Sequence, residues 1–263
     1  MSTHRALCIA VILVAAFLGI AFSGSPPDLD QWANLPTASW QNGSLNSSNS
    51  LYHEGQSVPF RMGYKSLAAN SSHSLLIEFR FSKSGVHGYD YLVTYNAGTD
   101  GANVTGNEGA SGGGGPYTLG AVSTYPIPWM GGLLPFAQQP GNFTIYNATI
   151  TSTSAYTVVT SGGDETVQIT VNFTVSSSGG DVVLLWSGHL ASPEPDQWGP
   201  GGGASSFPGA SLHMRSGGQD RSLQTAAIPT PTPTFTPTDT PTDTPTSTFT
   251  HTPTVTDTPT HTA

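Results

Sequence analysis

Three histidines and one aspartate in the middle of the chain are candidate metal ligands: His87, Asp90, His189 and His213. Neutral imidazoles and carboxylate oxygens bind divalent metals, and such a centre would indicate a metal-dependent hydrolase. The spacing does not decide the question, because strand pairing determines whether these residues meet. The alternative is a structural polar network with a hydrogen-bonded His189, in which Asp220 either forms an ion pair with Arg221 or caps a turn. The pattern favours the structural network.

Four aromatic residues in Gly- and Pro-rich segments are candidate ligand-binding residues: Tyr117, Tyr125, Trp129 and Trp198. The faces of Trp and Tyr stack on pyranose rings, so together these side chains would make a carbohydrate-binding platform. Aromatic side chains with one polar atom also fill the ends of β-sandwiches, which is the structural alternative. The platform therefore supports carbohydrate binding only as an alternative function of the chain.

Residues Gly109–Gly113 match the G-x-S-x-G pattern of a nucleophilic serine, here Ser111. That pattern works where the serine lies on a strained turn between a strand and a helix. Neither element is predicted beside it, and 31 glycines make chance matches common. We interpret the segment as a flexible Gly/Ser loop, and we expect neither a catalytic residue nor a cofactor.

The composition excludes several classes of protein. Of 263 residues only 9% are charged, and the formal net charge is -9. This balance excludes a basic nucleic-acid footprint and argues against attachment to anionic lipid through basic residues. The single cysteine, Cys8, excludes a disulfide scaffold or a cysteine-rich zinc module.

The elements that must position these residues are predicted from alternation of apolar and polar side chains, which is typical of strands with one buried face. Residues 182–191 are apolar on both faces, so we expect that strand to be central. The pattern predicts an all-β fold, an antiparallel β-sandwich of about seven to nine strands. The predicted strands are 58–65, 74–82, 89–96, 143–151, 167–175 and 182–191, with weaker signals over 211–215 and 221–227.

A long Gly/Pro-rich loop from Asn96 to Gly141 interrupts the strands. Connections of this length are usually functional or disordered. We expect its first half to be disordered. Its second half carries Trp, Tyr, Phe and several prolines, so we expect that half to pack against the domain.

The two ends of the chain predict export and a spacer. Residues 1–23 read as a signal peptide, because a charge-free apolar run ends at small residues, although an uncleaved membrane anchor is the competing interpretation. We expect a linker over 24–39 and a β-sandwich domain over 40–227. Residues 228–263 alternate Thr with Pro and other residues, which predicts a disordered stalk.

Several short motifs recur in order through the domain, at Tyr52–Arg61, Ser84–Tyr95, Trp186–Ala191 and Gly209–Leu223. Together they resemble a β-rich module that recurs in large secreted bacterial surface proteins. The resemblance spans about 40–227 and implies an extracellular location and a β-rich fold, with no established activity and no catalytic residue to transfer. Members often carry a Cys pair in the long loop, so the loop here is expected to be less ordered.

Together these features predict a secreted, non-catalytic structural or adhesive module displayed on a Thr/Pro stalk. The expected partner is an extracellular or cell-surface component such as a glycan, with no nucleic acid and no membrane insertion after signal cleavage. A carbohydrate-binding module using the loop aromatics is the alternative function. A metal-dependent hydrolase using the His/Asp set is the second alternative.

Overall fold

The computed structural model describes residues 26–98 and 104–229. The predicted signal peptide over 1–23 and all but the first two residues of the predicted stalk over 228–263 lie outside the described residues. Within the described ranges, fourteen strands form two antiparallel sheets of seven strands each. The predicted all-β sandwich is therefore confirmed, with more strands than expected.

The strands are numbered in chain order. They are β1 (Asp28–Ala33), β2 (Ser39–Gln41), β3 (Ser57–Leu67), β4 (Ser72–Lys83), β5 (Val86–His87), β6 (Tyr89–Val93), β7 (Val122–Pro126), β8 (Asn142–Tyr146), β9 (Ala148–Thr153), β10 (Thr157–Ser161), β11 (Asp164–Val175), β12 (Gly180–Leu190), β13 (Ser211–Ser216) and β14 (Gln219–Gln224). The first sheet has the order β2-β1-β3-β12-β8-β7, and β6 also pairs with β12. The second sheet has the order β10-β11-β4-β13-β14, with β9 paired to β11 and β5 paired to β4.

Strands β4 and β11 show how alternation builds the core between the sheets. They pair antiparallel, so that Ile77 lies opposite Ile169 and Glu78 lies opposite Gln168. The two isoleucines are buried, whereas Glu78 and Gln168 lie half-buried on the outer face. Burying an Ile side chain contributes about 2 kcal/mol of hydrophobic stabilisation. The predicted pattern of one apolar face and one wet face is confirmed for both strands.

Strand β12 is central in the first sheet, as its apolar composition predicts. It pairs with β3 along one edge and with β8 and β6 along the other. All nine residues from Val182 to Leu190 are buried. Trp186 stacks on Phe60 of β3, with ring centroids 6.1 Å apart and an interplanar angle of 19°. A strand buried on both faces needs apolar residues at consecutive positions, which explains the loss of alternation.

The expected linker over 24–39 is wrong for residues 28–33, which form β1. This strand pairs with β3, and its register places Asp30 opposite Arg61. Leu29 faces the main core, whereas Asp30 is buried on the opposite face. Because a charged residue occupies a buried position, the segment lacks the alternation that marks a strand in the sequence.

The predicted strand over 143–151 is two strands that belong to different sheets. Strand β8 pairs in the first sheet and β9 pairs in the second, and the chain crosses between them at Asn147. Asn147 has φ 59°, in the left-handed region that asparagine tolerates better than most residues. Its Nδ2 donates to the carbonyls of Thr118 (3.1 Å) and Asp181 (2.6 Å). These bonds hold the crossing in place.

The first half of the long loop packs on the first sheet from residue 104 onward, which corrects the expectation of disorder. The buried Arg61 guanidinium donates to the carbonyls of Glu108 (3.0 Å), Ala110 (2.9 Å) and Gly112 (2.7 Å). A Cβ at position 113 would lie 1.7 Å from Oδ1 of Asp30, so the close approach requires glycine there. The glycine-rich composition reflects backbone packing against a buried ion pair.

The first and last strands of the described domain contact each other across the two sheets. Gln219 of β14 donates from Nε2 to the carbonyl of Pro27 (2.6 Å) and accepts from the N–H of Leu29 (2.9 Å). Arg221 donates from NH2 to Asp28 Oδ1 (3.1 Å) and from Nε to the carbonyl of Leu29. These contacts close one side of the sandwich.

Candidate functional site

The structure does not assemble the four predicted metal ligands. Asp90 and His189 are neighbours, with Oδ1 and Nδ1 separated by 2.7 Å. His87 instead stacks on Trp198, and His213 lies on the second sheet, where it binds Asp220. Within residues 26–98 and 104–229, no three His, Cys, Asp or Glu side chains are placed to hold a metal ion. The predicted metal centre is therefore wrong, because the pairing of the strands separates its members.

Asp90 and His189 belong to a buried polar network at one end of the sandwich. Asp90 is fully buried, and it accepts hydrogen bonds from His189 Nδ1 and from Trp198 Nε1 (3.1 Å). The His189 ring also stacks on Tyr91, with centroids 4.3 Å apart. Burial lowers the pKa of His87, against the opposing charges of nearby carboxylates. These contacts fit the structural polar network that the sequence favoured.

The four predicted aromatic residues do not form one platform. Tyr117 is buried in the smaller core cluster beneath Arg61, 5.0 Å from the guanidinium carbon to the ring centroid. Tyr125 and Trp198 instead pack against the main core. Trp129 is 54% exposed on the loop that follows β7. A shared platform is wrong, because three of the four rings serve the packing of the domain.

The predicted ion pair between Asp220 and Arg221 is also wrong. The two residues are adjacent in β14, so their side chains point to opposite faces of the strand. Arg221 turns inward and binds Asp28 of β1. Asp220 turns outward, where its two carboxylate oxygens bind His213 and Arg215 of β13.

The outer face of the second sheet carries a row of polar side chains that crosses four strands. The strand register places Glu78 opposite both Gln168 and Arg215, and Arg215 opposite Asp220. Gln168 Nε2 donates to Glu78 Oε1 at 2.8 Å, and Arg215 Nε donates to Asp220 Oδ2 at 2.9 Å. We call these four residues the polar row. Their positions are fixed by the sheet and by hydrogen bonds.

A second charged cluster lies beside the polar row, toward the end of β4. Asp164, at the start of β11, accepts from Arg80 NH1 at 2.7 Å. The same carboxylate lies 3.2 Å from Lys83 Nζ. His213 Nδ1 lies 2.8 Å from Asp220 Oδ1 and so connects this cluster to the polar row.

A groove runs between the outward side chains of β4 and β13, and we call it the β4–β13 groove. One end is a pocket of about 210 Å³ beside Glu78, Arg215 and the Gly217–Gly218 turn. The other end is a second pocket of about 210 Å³ beside Arg80, Lys83 and His213. A small hollow of about 10 Å³ lies between the two pockets and shares lining residues with both.

The local pairing of the strands explains why the second pocket opens. Strand β13 pairs with β4 over only three residue pairs, of which Met214 and Phe79 are the last before the strands separate. Strand β5 then takes the free edge of β4 by pairing with Ser82 and Lys83. Because β13 leaves β4 at this point, a space remains between Arg80 and the segment 207–211.

The groove concentrates charged side chains of both signs. Three of the seven Lys and Arg residues line it together with the carboxylates of Glu78, Asp164 and Asp220, so its formal charges balance although the formal net charge of the chain is -9. Burial by itself would raise the pKa of Asp220, but hydrogen bonds from His213 and Arg215 outweigh it and hold that pKa below the ordinary carboxylate value. Asp220 therefore remains a carboxylate that fixes both neighbouring side chains.

The sequence pattern locates parts of this site but not the whole. Alternation places Glu78, Arg80 and Gln168 on the wet faces of their strands, as observed. It does not show that β13 lies beside β4, because that pairing joins segments far apart in the chain. The groove depends on this pairing, so the sequence pattern does not predict the groove.

Comparison with family models, with curated proteins and with solved structures gives no match for this chain. The resemblance to secreted bacterial surface modules therefore stays a prediction. In the part of the chain that the structure describes, no helix has the length and apolar character needed to cross a bilayer.

Proposed function

We propose that this chain is a secreted, non-catalytic surface module that binds an extracellular ligand through the β4–β13 groove. The groove is the observation that supports the proposal. Its charged side chains are half-buried or exposed, yet they are held by ion pairs at 2.7–3.2 Å. Side chains that are already ordered lose little conformational freedom on binding, which favours affinity.

The lining of the groove suits a ligand rich in hydroxyl groups. Carboxylates accept hydrogen bonds, guanidinium groups donate them, and amides do both. A sugar hydroxyl also donates and accepts, so the mixture of donors and acceptors that lines the groove matches a glycan. From Glu78 to Lys83 the groove follows five residue steps of β4, roughly 17 Å at about 3.4 Å per residue, which suits a chain rather than a single small molecule. This glycan site differs from the predicted aromatic platform.

The sequence features at the two ends support an extracellular role. The predicted signal peptide would direct export, and the predicted Thr/Pro stalk would hold the domain away from its attachment point. A binding face on the outer side of a sheet remains accessible in such an arrangement. We therefore assign the adhesive role expected from the sequence to the β4–β13 groove.

The test is binding of the purified full chain to an array of neutral and acidic oligosaccharides. We expect at least one oligosaccharide to bind, and Arg215→Ala to weaken that binding by about tenfold, since a charge-assisted hydrogen bond contributes roughly 1.5 kcal/mol. Circular dichroism would verify that the variant keeps its β structure.

Thr149→Ala is the matched control, because Thr149 is exposed on β9 of the same sheet and does not line the groove. It should bind as the unaltered chain does. Failure of every oligosaccharide to bind, or equal binding by the Arg215→Ala variant, would contradict the proposal.

A further inference from the structure

The two ends of the β4–β13 groove carry opposite excess charge. At the Lys83 end, Arg80 and Lys83 share the single carboxylate of Asp164, which leaves one positive charge in excess. At the Gly217–Gly218 end, two carboxylates, those of Glu78 and Asp220, accompany the one guanidinium of Arg215. A ligand in the groove therefore meets a positive end and a negative end.

Glu165, the next carboxylate along β11, does not line the pocket at the positive end. Its Oε2 accepts from the hydroxyl of Ser82 at 2.5 Å, and Ser82 is only 5% exposed. The Glu165 side chain is not part of the pocket lining, whereas Asp164 is. The excess positive charge at the Lys83 end thus faces the open pocket.

The Lys83 end also retains hydrogen-bond donors. Arg80 has five N–H donors, and its one side-chain hydrogen bond among the described residues uses NH1. Lys83 has three donors and binds only Asp164 within the same part of the chain. His213 uses Nδ1 for Asp220, and its side chain lines the same pocket. Three side chains therefore converge on one open pocket.

We infer that the Lys83 end of the groove binds an anionic substituent, a carboxylate or a sulfate, of an acidic glycan. Arg80 and Lys83 supply the positive charge, and His213 supplies a further polar contact. The negative end at Glu78 and Asp220 binds neutral hydroxyl groups and disfavours a second anion nearby. The inference rests on the proposed function, because it names the ligand class of that same groove.

The experiment compares three probes by isothermal titration calorimetry with the full chain: an oligogalacturonate, a sulfated galacto-oligosaccharide and a neutral galacto-oligosaccharide of equal length. We expect an acidic probe to bind at least fivefold more tightly than the neutral one, the size of an exposed ion-pair contribution near 1 kcal/mol. High ionic strength should reduce that preference, because salt screens exposed charges. The tighter of the two acidic probes identifies the anion as carboxylate or sulfate.

Lys83→Gln should remove most of the preference for the acidic probe, since it removes one of the two positive charges at that end of the groove. Lys65→Gln is the matched control, since it makes the same change in net charge on the first sheet, where Lys65 lies over Tyr117. Equal affinity for acidic and neutral probes, or equal effects of the two lysine variants, would overturn the inference while the proposed function stands. Binding of none of the probes would overturn the inference, whereas the proposed function is overturned only if every oligosaccharide of the array also fails to bind.

Discussion

At the scale of single residues, Asp220 shows how one carboxylate organises a surface. It is 39% exposed, yet both of its oxygens are engaged, one by His213 and one by Arg215. Without these bonds, the side chains of His213 and Arg215 on β13 would sample several rotamers, and the groove would lose its defined lining. The same two hydrogen bonds, from His213 and Arg215, lower the pKa of Asp220.

The depressed pKa makes a prediction about stability and pH. A carboxyl group whose pKa is lower in the folded chain contributes stability above its ordinary pKa of 3.8, and that contribution disappears as the pH falls through the lower folded value. We expect Asp220→Asn to be less stable than the unaltered chain at pH 6. The difference should shrink as the pH is lowered below 3.8, as measured by urea unfolding at several pH values.

Asp196→Asn is the control for this comparison, because Asp196 is an exposed carboxylate in the segment after β12 and its loss changes the net charge equally. Its effect should be smaller at pH 6. A stability difference for Asp220→Asn that stays constant from pH 6 to below 3.8 would show that the Asp220 carboxylate charge does not contribute.

At the scale of elements, Arg61 joins three segments that are separate in the sequence. It lies on β3, binds Asp30 of β1 at 2.8 Å, and donates to the carbonyls of the loop at residues 108–112. The guanidinium carbon of Arg61 also lies 4.6 Å from the ring centroid of Trp40. Burial raises the pKa of Asp30, against the opposing effect of the Arg61 charge. The loop conformation therefore depends on one side chain.

We predict that Arg61→Met destabilises the domain by about 3–5 kcal/mol, because it leaves the buried Asp30 carboxylate without its ion-pair partner and the carbonyls of Glu108 and Ala110 without their donor. Urea unfolding of the full chain measures this loss. The double variant Asp30→Leu with Arg61→Met should recover part of it, since the buried charge is then removed.

Lys65→Met is the control on the same strand, where the lysine is not part of a buried ion pair, and it should change stability little. Equal stability losses for the Arg61 and Lys65 variants would show that the loop does not depend on the buried pair.

Sequence alone predicts the long strands well and the short ones poorly. Strands β4 and β11 span twelve residues each, so the period of two repeats several times. Strands β2 and β5 have three and two residues, too few for a period to appear. Strand β1 is not predicted because Asp30 has the character of a solvent-facing residue, and only its ion pair with Arg61 explains its burial. The short strands and β1 are therefore defined by pairing with segments distant in the chain, which the local sequence pattern does not show.

At the scale of the whole molecule, the described domain contains the apolar core and the groove, whereas the Thr/Pro segment has a composition that cannot build a core. We therefore predict that deleting residues 230–263 leaves the free energy of unfolding unchanged within about 0.5 kcal/mol. Calorimetric unfolding of the full and shortened chains measures the difference.

Deleting residues 225–263 is the comparison, because it also removes Ala227 and Ile228, which are 5% and 3% exposed in the core. That longer deletion should lower the stability clearly. A loss of stability from the shorter deletion would mean that the Thr/Pro segment contacts the domain.

The contact between β1 and β14 has a consequence for how the chain acquires its shape. The bonds from Gln219 and Arg221 to residues 27–29 join positions 190–193 residues apart. Residues 27–29 of a nascent chain therefore lack these bonds until β14 has been synthesised. Pairings this distant slow folding, since a large loop must close before the contacts form. The edge of the sandwich at residues 27–29 is therefore expected to form late in folding, after β14 becomes available.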